Sequence, residues 1–281
     1  ESGHRRSDAV TEEASPLAQL LGRTLRGDVT DVRSEVVSRA GDVELERVRF
    51  VHDGAERSLV FKRMPVGASL EVQLLPFLAR KTDRVPVVHA RGIPPPAVPA
   101  PRWLLLEDVV DAPSACEAQP RAIVEAKIAV ERAVAADVPA LRALGVPELS
   151  PSALAERIAV AAADEAVAAE VRRAAKRLAT WPVALAHGDL RCRSAVLAAR
   201  GVVIADWGRA HLGCALIDVV RLVRDVVDRG EAVLGIGLSR LYAESLGLVL
   251  PTEVLRAAEK LDRLSERYLE RSLARPGDAV H

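Results

Sequence analysis

Apolar and charged residues alternate along an early stretch of the chain, residues 43–50, which read Val-Glu-Leu-Glu-Arg-Val-Arg-Phe. An Asp-Gly pair at positions 53 and 54 separates this stretch from a second strand-like run at residues 58–62. Period-two alternation interrupted by Asp-Gly is typical of antiparallel strands joined by a tight turn. Residues 29–62 are therefore predicted to form an antiparallel meander.

Helical patterns lie on both sides of this meander. Ser15 and Pro16 supply an N-cap and a first-turn proline for a helix that we expect to run to about Arg26 and to pack on the sheet. A mobile tail is expected before it, at residues 1–14. After the meander, residues 69–80 carry leucine and phenylalanine at helical spacing.

Short strands and then alanine-rich helices follow. Strands are predicted at residues 85–88 and 103–106, with a proline-rich loop at residues 93–101 between them. The remaining predicted elements are helices at residues 117–144, 151–180 and 216–274, and one short hairpin at residues 196–205.

The change from alternation to helical periodicity near Asp108 predicts two lobes. The predicted fold class is α+β, with an N-terminal tail and helix at residues 1–28, an antiparallel-sheet N-lobe at residues 29–108 and a mainly helical C-lobe at residues 109–281. A linker is expected near residues 107–112.

Composition excludes several classes of partner. Lysine plus arginine and aspartate plus glutamate both number 39, so no overall charge favours nucleic acid or an anionic membrane. No apolar run approaches the roughly 20 residues that cross a bilayer, and the opening 15 residues are too polar for a signal peptide. Cys116, Cys192 and Cys214 contain no C-x-x-C pair, which argues against a disulfide framework and a zinc site. A cytoplasmic protein with packed, free cysteines is the expectation.

Two carboxylates are predicted at the two ends of the hairpin. His187-Gly188-Asp189 precedes it, followed by Ser194, and Asp206 comes directly after its second strand. Phosphoryl transfer needs one carboxylate to orient the accepting hydroxyl and another to hold magnesium against the phosphates. Asp189 and Asp206 are placed for those two functions, whereas His187 is expected to be structural.

The first lobe adds a lysine and a glutamate. Lys62 ends a predicted strand, and Glu71 borders the apolar face of the helix that follows. A carboxylate is costly to bury there without a cation, so we expect Glu71 to pair with Lys62.

Together these segments resemble aminoglycoside phosphotransferases and the related choline, homoserine and fructosamine kinases. The family segment reads H-G-D-x-x-x-x-N, then a hairpin, then I-D-W/F. Residues 104–109 are similar to its L-L-L-E-D-L strand and hinge, and residues 213–222 to a glycine followed by D-L-A-x-L, whose aspartate, here Asp218, braces the catalytic loop. The resemblance covers residues 29–222 and implies a bilobal protein-kinase-like fold.

The resemblance also implies a set of roles. The cofactors would be ATP and Mg²⁺, and the partner a small molecule with a hydroxyl group. The implied residues are Asp189 as catalytic base, Asp206 and Ser194 at the metal, and Lys62, Glu71, Glu107 and Val109 at the nucleotide.

Departures from the pattern leave alternatives open. Ser194 replaces asparagine and is a shorter, weaker magnesium ligand. Arg191 and Arg193 add positive charge near Asp189, where they could bind an anionic substrate or repel the metal. A nucleotide-binding pseudokinase and a helical adaptor are the competing interpretations. The helix predicted at residues 252–275 mixes acidic and basic residues, so we expect it to present a solvated, ion-paired face and not an acidic pocket. Aminoglycoside recognition is therefore without support.

Overall fold

The computed structural model describes residues 16–65, 70–92, 102–230 and 232–270. The predicted tail at residues 1–14, the N-cap Ser15, the helix start at Ser69, the loop at residues 93–101 and the helical end at residues 271–274 lie outside the described residues. An antiparallel sheet is followed by a mainly helical part, which confirms the predicted α+β architecture. The predicted lobe boundaries stay predictions.

The first lobe is a five-stranded antiparallel sheet with the strand order β1-β2-β3-β5-β4. Its elements are α1 (Pro16–Leu25), β1 (Val29–Ala40), β2 (Val43–His52), β3 (Ala55–Met64), α2 (Leu70–Ala79), β4 (Val88–Gly92) and β5 (Arg102–Glu107).

The two faces of this sheet pack against different parts of the molecule. On one face, α1 packs through Leu21 against a small core that includes Val48 and Phe61, which confirms the expected docking of the first helix. Side chains alternate between faces along a strand, so Lys62, next to Phe61, projects from the opposite face. That face looks toward the second lobe.

Two local features of the sheet differ from a simple reading of the sequence. The strand expected at residues 85–88 is instead β4 at Val88–Gly92, because Pro86 has no amide hydrogen for the ladder. Pairing of β1 with β2 continues to Ala40 and Val43. Only two residues, Gly41 and Asp42, therefore form the turn between β1 and β2.

The second lobe is built mainly from eight helices among the described residues. They are α3 (Ala115–Ala118), α4 (Pro120–Val134), α5 (Val138–Ala143), α6 (Pro151–Ala162), α7 (Glu165–Leu178), α8 (Leu216–Asp228), α9 (Ala232–Ser245) and α10 (Thr252–Ser265). A π-helical turn, Glu266–Glu270, follows α10.

One long helix predicted at residues 151–180 is in fact two. Ala163 ends α6 in a left-handed conformation, and the side chain of Asp164 caps α7 by accepting hydrogen bonds from the amides of Ala166 and Val167. A capping aspartate starts a new helix because it satisfies amides that have no partner in the first turn. The prediction of an uninterrupted helix was wrong here.

Short strands in the second lobe position the candidate site. The predicted hairpin is present as β8 (Ala195–Ala198) and β9 (Gly201–Ile204). A further sheet, in the order β6-β10-β7, was not predicted because its strands are too short to show alternation. Its strands are β6 (Glu148–Leu149), β7 (Ala184–Ala186) and β10 (His211–Gly213).

The cysteines contradict the expectation of three free thiols. Cys116 in α3 and Cys192 in the loop after Asp189 form a disulfide, with their Cα atoms 5.2 Å apart. The two positions are 76 residues apart in sequence, so only tertiary packing brings them together. Cys214 is a buried free thiol, and burial raises its pKa to about 12. Within the described part of the chain, no helix has the length and apolarity needed to span a membrane.

Candidate active site

A lysine joins the sheet to the hairpin of the second lobe. Lys62 Nζ lies 2.6 Å from Glu71 Oε2 and 3.0 Å from Asp206 Oδ1. Burial alone would lower the pKa of Lys62, but the charges of Glu71 and Asp206 outweigh it and raise that pKa. Lys62 therefore stays charged, and its predicted pairing with Glu71 is confirmed.

Asp206 follows β9 in a left-handed conformation, with φ at 67°. Its side chain is 63% exposed, unlike that of Glu71. Desolvation raises the pKa of Asp206, but the opposing effects, the charge of Lys62 foremost, together lower it by more. The pKa of Asp206 therefore lies below its usual range. The charge of Asp189 acts in the opposite direction and raises this pKa. Asp206 is an ionised carboxylate open to solvent.

The loop before the hairpin is fixed by His187 and Gly188. His187 is buried, its Nε2 lies 2.8 Å from the carbonyl oxygen of Ala205, and burial lowers its pKa. A Cβ on Gly188 would lie 2.1 Å from the carbonyl oxygen of Arg209, and φ there is 84°. Glycine alone fits this position. His187 has the structural role that was predicted.

Asp218, in the first turn of α8, holds this loop through two backbone amides. Its Oδ2 accepts from the amide of His187 at 2.5 Å, and its Oδ1 accepts from that of Gly188 at 2.9 Å. Burial raises the pKa of Asp218, but nearby cations, Lys127 foremost, lower it below the usual range. The bracing position that the resemblance implied for Asp218 is confirmed.

A buried lysine network, missed in the sequence, surrounds Asp218. Lys127 on α4 is fully buried, pairs with Glu131, donates to the carbonyl oxygen of Leu185 at 2.9 Å and lies 3.5 Å from Asp218 Oδ2. Tyr242 on α9 donates its hydroxyl to Glu131 Oε2 at 2.8 Å. The available signal was a lysine and a glutamate four residues apart on the apolar face of α4.

Three arginines engage the carboxylate of Asp189. Oδ1 accepts from Arg191 Nε at 2.8 Å and from Arg221 Nη1 at 3.2 Å, and Oδ2 accepts from Arg193 Nη2 at 2.5 Å. Burial would raise the pKa of Asp189, but these arginines outweigh it and lower that pKa. Asp189 is therefore ionised, and both of its oxygens already accept hydrogen bonds.

Two acidic residues near the end of the described chain pair with two of these arginines, Arg191 and Arg221, and with Arg224. Asp262 lies 2.7 Å from Arg221 and 3.0 Å from Arg224, and Glu266 lies 2.8 Å from Arg191 and 2.6 Å from Arg224. The expectation of a wholly solvated ionic face is wrong here, because Asp262 lies buried on the side of α10 that packs against α8.

Ser194 contacts Ala205, the residue before Asp206, but its hydroxyl is bonded to its own loop. The carbonyl oxygen of Ser194 accepts from the amide of Ala205 at 2.8 Å. Its Oγ accepts from the amide of Arg191 at 3.0 Å and donates to the carbonyl oxygen of Arg191 at 2.8 Å. The metal role predicted for Ser194 stays a prediction, and its hydroxyl is engaged by the backbone of Arg191.

Glu107 and Val109 lie at the predicted hinge. The amide of Glu107 donates to the carbonyl oxygen of Val87 at 2.9 Å, and its carboxylate pairs with Arg200 from the turn of the β8–β9 hairpin. The carbonyl oxygen of Val109 accepts from the amide of Ala112 at 3.2 Å. The side chain of Glu107 therefore ties the sheet to the hairpin, and adenine contacts by the hinge backbone stay a prediction.

Arg47 is a second hinge contact that the sequence analysis missed. Arg47 is buried and lies on the same face of the sheet as Lys62, because it is two residues along β2 from Leu45, the partner of Lys62 in β3. Its guanidinium lies 2.8 Å from Asp108 and 2.8 Å from Asp111. The hydrogen bond that Arg47 donates to Asp111 is the largest influence on the pKa of Arg47 and raises it. Arg47 thus links the sheet to the segment that follows the hinge.

Comparison with known proteins places these residues in a family. A sequence profile described as the phosphotransferase enzyme family matches residues 36–251. The chain belongs to the phosphotransferase enzyme family. No curated protein sequence matches it significantly.

Solved structures of two aminoglycoside phosphotransferases and of a choline/ethanolamine kinase family protein share the fold. An aminoglycoside-3'-phosphotransferase of type VIII has 20% identity and a TM-score of 0.60, over 88% of this chain and 97% of that chain. The aminoglycoside phosphotransferase APH(3'')-Id from Streptomyces rimosus, in complex with ADP and streptomycin, has 18% identity and a TM-score of 0.56, over 89% and 98%. A choline/ethanolamine kinase family protein from Mesorhizobium loti has 15% identity and a TM-score of 0.57, over 88% and 82%. These similarities confirm the predicted protein-kinase-like fold.

A family member that uses a magnesium nucleotide needs hard oxygen ligands. Asp206 supplies one exposed carboxylate, and the described residues contain no group of three His, Cys, Asp or Glu side chains that could hold a metal. Magnesium is commonly held by one or two carboxylates together with substrate phosphates and water. The donor set therefore fits a magnesium ion that arrives with phosphates.

Proposed function

We propose that the protein is an ATP-dependent kinase that transfers the γ-phosphoryl group to a hydroxyl group of a small molecule. The observation that carries the proposal is the position of Lys62 between Glu71 and Asp206, with Asp189 before the same hairpin. Phosphoryl transfer depends on such positioned charges more than on covalent chemistry. Membership of the phosphotransferase family and the ADP bound to the Streptomyces rimosus relative support the use of an adenine nucleotide.

Each residue has a defined part in this proposal. Lys62 contacts the α- and β-phosphates, and the backbone at Glu107 and Val109 binds adenine. Asp206 would hold Mg²⁺, which neutralises charge on the phosphates. Asp189 accepts a hydrogen bond from the acceptor hydroxyl and orients its oxygen. That oxygen bonds to the γ-phosphorus as the bond to the bridging oxygen breaks, ADP leaves, and the hydroxyl proton passes to Asp189 or to water.

An aminoglycoside acceptor has little support in this chain. The Streptomyces rimosus relative was solved with streptomycin. Here the acidic side chains on the acceptor side, Asp262 and Glu266, are paired with arginines and are not available to a polycation.

The experiment is incubation of the protein with ATP, magnesium chloride and a panel of sugars, amino alcohols, hydroxy acids and antibiotics. ADP and phosphorylated product are measured by mass spectrometry. We expect one class of compound to be phosphorylated, and Asp189→Asn to lower kcat by about 10²- to 10⁴-fold. A protein that neither binds ATP nor phosphorylates any compound would contradict the proposal.

A second candidate is a nucleotide-binding pseudokinase. Two observations favour it: the hydroxyl of Ser194 is bonded to its own loop, and both oxygens of Asp189 are bonded to arginines. ATP binding in calorimetry with no product from any compound would support this candidate. Failure to bind ATP would favour the adaptor interpretation.

A further inference from the structure

We infer that the acceptor of the proposed kinase carries a negatively charged group, a carboxylate or a phosphate, close to its reacting hydroxyl, and that Arg193 binds this group. The inference rests on the proposed function, because it concerns the acceptor side of the same site. The three arginines that contact Asp189 differ in exposure and in the number of other partners that hold them.

Two of these arginines are fixed by other partners. Arg221 has only 5% of its side chain exposed, and it also bonds to Asp262 and to the carbonyl oxygen of Gly188. Arg191 has 13% of its side chain exposed and is also paired with Glu266. Moving Arg221 would break its pair with buried Asp262 and its bond to Gly188, and moving Arg191 would break its pair with Glu266.

Arg193 differs from both. Its side chain is 65% exposed, and its ion pair is with Oδ2 of Asp189. Asp189 keeps its ion pairs with Arg191 and Arg221 when Arg193 moves away, so Arg193 can exchange this partner for another anion. It therefore covers the solvent side of Asp189 as a replaceable group.

The acceptor must displace or share this contact. An ionised carboxylate offers about four lone-pair directions, and three on Asp189 are taken by arginines. A neutral alcohol that bonds to the remaining lone pair of Oδ2 would share this oxygen with Arg193, weaken the bond from the guanidinium and offer it nothing in return. An alcohol that also carries a nearby anionic group gives the guanidinium of Arg193 a new partner, while the hydroxyl of the alcohol donates a hydrogen bond to Oδ2 of Asp189. The charge pairing is then conserved.

The distances fit an anion near the hydroxyl. Arg193 Nη2 lies 2.5 Å from Oδ2 of Asp189, so a hydroxyl on this oxygen lies next to the guanidinium. A carboxylate or phosphate two or three bonds away can reach the fork of donors, which suits planar oxyanions. A cationic acceptor would face a like charge. The carboxylates of Asp262 and Glu266 are each already paired with two arginines.

The test compares acceptors in which a carboxylate replaces one terminal CH2OH group. The pairs are D-glycerate with glycerol and D-gluconate with D-sorbitol, and choline serves as a cationic alcohol. The wild type is compared with Arg193→Gln, with Arg193→Lys, which keeps the charge but loses the fork, and with Arg23→Gln. Arg23 is an exposed arginine on α1, on the far face of the sheet, and is the matched control. Thermal unfolding checks that each variant is folded.

We expect wild type and Arg23→Gln to prefer the anionic member of each pair by at least about tenfold in kcat/KM, as a charged hydrogen bond implies. Arg193→Gln should bring this ratio close to one, and Arg193→Lys should give an intermediate ratio. Equal kcat/KM for the two members of a pair in the wild type, or a preference for choline, would overturn the inference and leave the kinase function intact.

A second measurement does not depend on turnover. Binding of D-gluconate and of inorganic phosphate to the nucleotide-free protein is followed by NMR titration. We expect Arg193→Gln to weaken binding by about tenfold and Arg23→Gln to have no effect. Binding that depends on Arg193 without phosphorylation would support the anion site and contradict the kinase function. Absence of anion binding together with absence of phosphorylation of both anions in the wild type would overturn the inference.

Discussion

Lys62 Nζ lies between the carboxylates of Glu71 and Asp206, 2.6 Å from the first and 3.0 Å from the second. Glu71 belongs to α2 and Asp206 follows β9, so one ammonium group connects the two lobes. Glu71 is buried, whereas the side chain of Asp206 is exposed. An incoming phosphate would therefore compete with Asp206 for Lys62, and Asp206 would need another cation. This requirement matches the magnesium ion of the proposed function.

The first prediction concerns nucleotide affinity. Lys62→Met should weaken ATP binding by about 10- to 100-fold, because it removes a charged hydrogen bond to phosphate. Asp206→Asn should weaken ATP binding only when magnesium is present. Both are measured by calorimetry with and without magnesium. Asp189→Asn is the control, since Asp189 is proposed to contact the acceptor and not ATP, and an equal loss in all three variants would contradict this division of roles.

The second prediction concerns Ser194. Ser194→Asn should lower the magnesium concentration needed for half-maximal ATP binding and turnover, because an amide oxygen reaches farther toward the ion. Ser194→Ala is the matched control. Since the serine hydroxyl is bonded to the backbone of Arg191, its removal should leave the magnesium titration unchanged. A higher magnesium requirement in Ser194→Ala would show that the hydroxyl reaches the ion after all.

Much of the site could be predicted because its residues belong to local patterns. The hairpin that separates Asp189 from Asp206 is visible as two short apolar runs around a turn, and Lys62 ends the strand-like run that follows an alternating strand and an Asp-Gly turn. The disulfide between Cys116 and Cys192 could not be predicted, because it depends on contact between residues far apart in sequence.

Buried charged residues were the hardest features to predict from the sequence. Asp262 stands in a run of alternating acidic and basic residues that looks solvated, yet the packing of α10 on α8 buries it against Arg221. Lys127 has the opposite pattern, a cation in an apolar stripe, and its partner Asp218 lies on another helix. Both pairs are fixed by how helices pack, which the sequence of one helix does not contain.

The third prediction uses the lowered pKa of Asp218. A carboxylate with a native pKa below its unfolded value, about 4, stabilises the fold above that pH and loses this effect as the pH falls through its native pKa. Asp218→Asn should lower the free energy of unfolding by about 3–5 kcal/mol at pH 7, because it leaves the charge of Lys127 less compensated. Urea unfolding at pH 3 to 7 should show the difference from wild type shrinking below about pH 4.

The control for Asp218 is Glu156→Gln, which breaks the exposed pair with Arg172. Surface ion pairs contribute little, so its unfolding curve at pH 7 should match that of the wild type. A difference between wild type and Asp218→Asn that stays constant down to pH 3 would show that packing, and not the charge, is what Asp218 contributes.

The last prediction concerns the disulfide, which ties α3 to the loop that carries Asp189. Closing a loop between positions 76 residues apart restricts the unfolded chain, and such bonds typically contribute about 2–4 kcal/mol. Dithiothreitol should therefore lower the stability of the wild type by that amount in urea unfolding. Cys116→Ser should show the lower stability in both conditions. Cys214→Ser, which removes a buried free thiol, should still respond to dithiothreitol. Three reactive thiols in the unfolded, non-reduced wild type would contradict the disulfide directly.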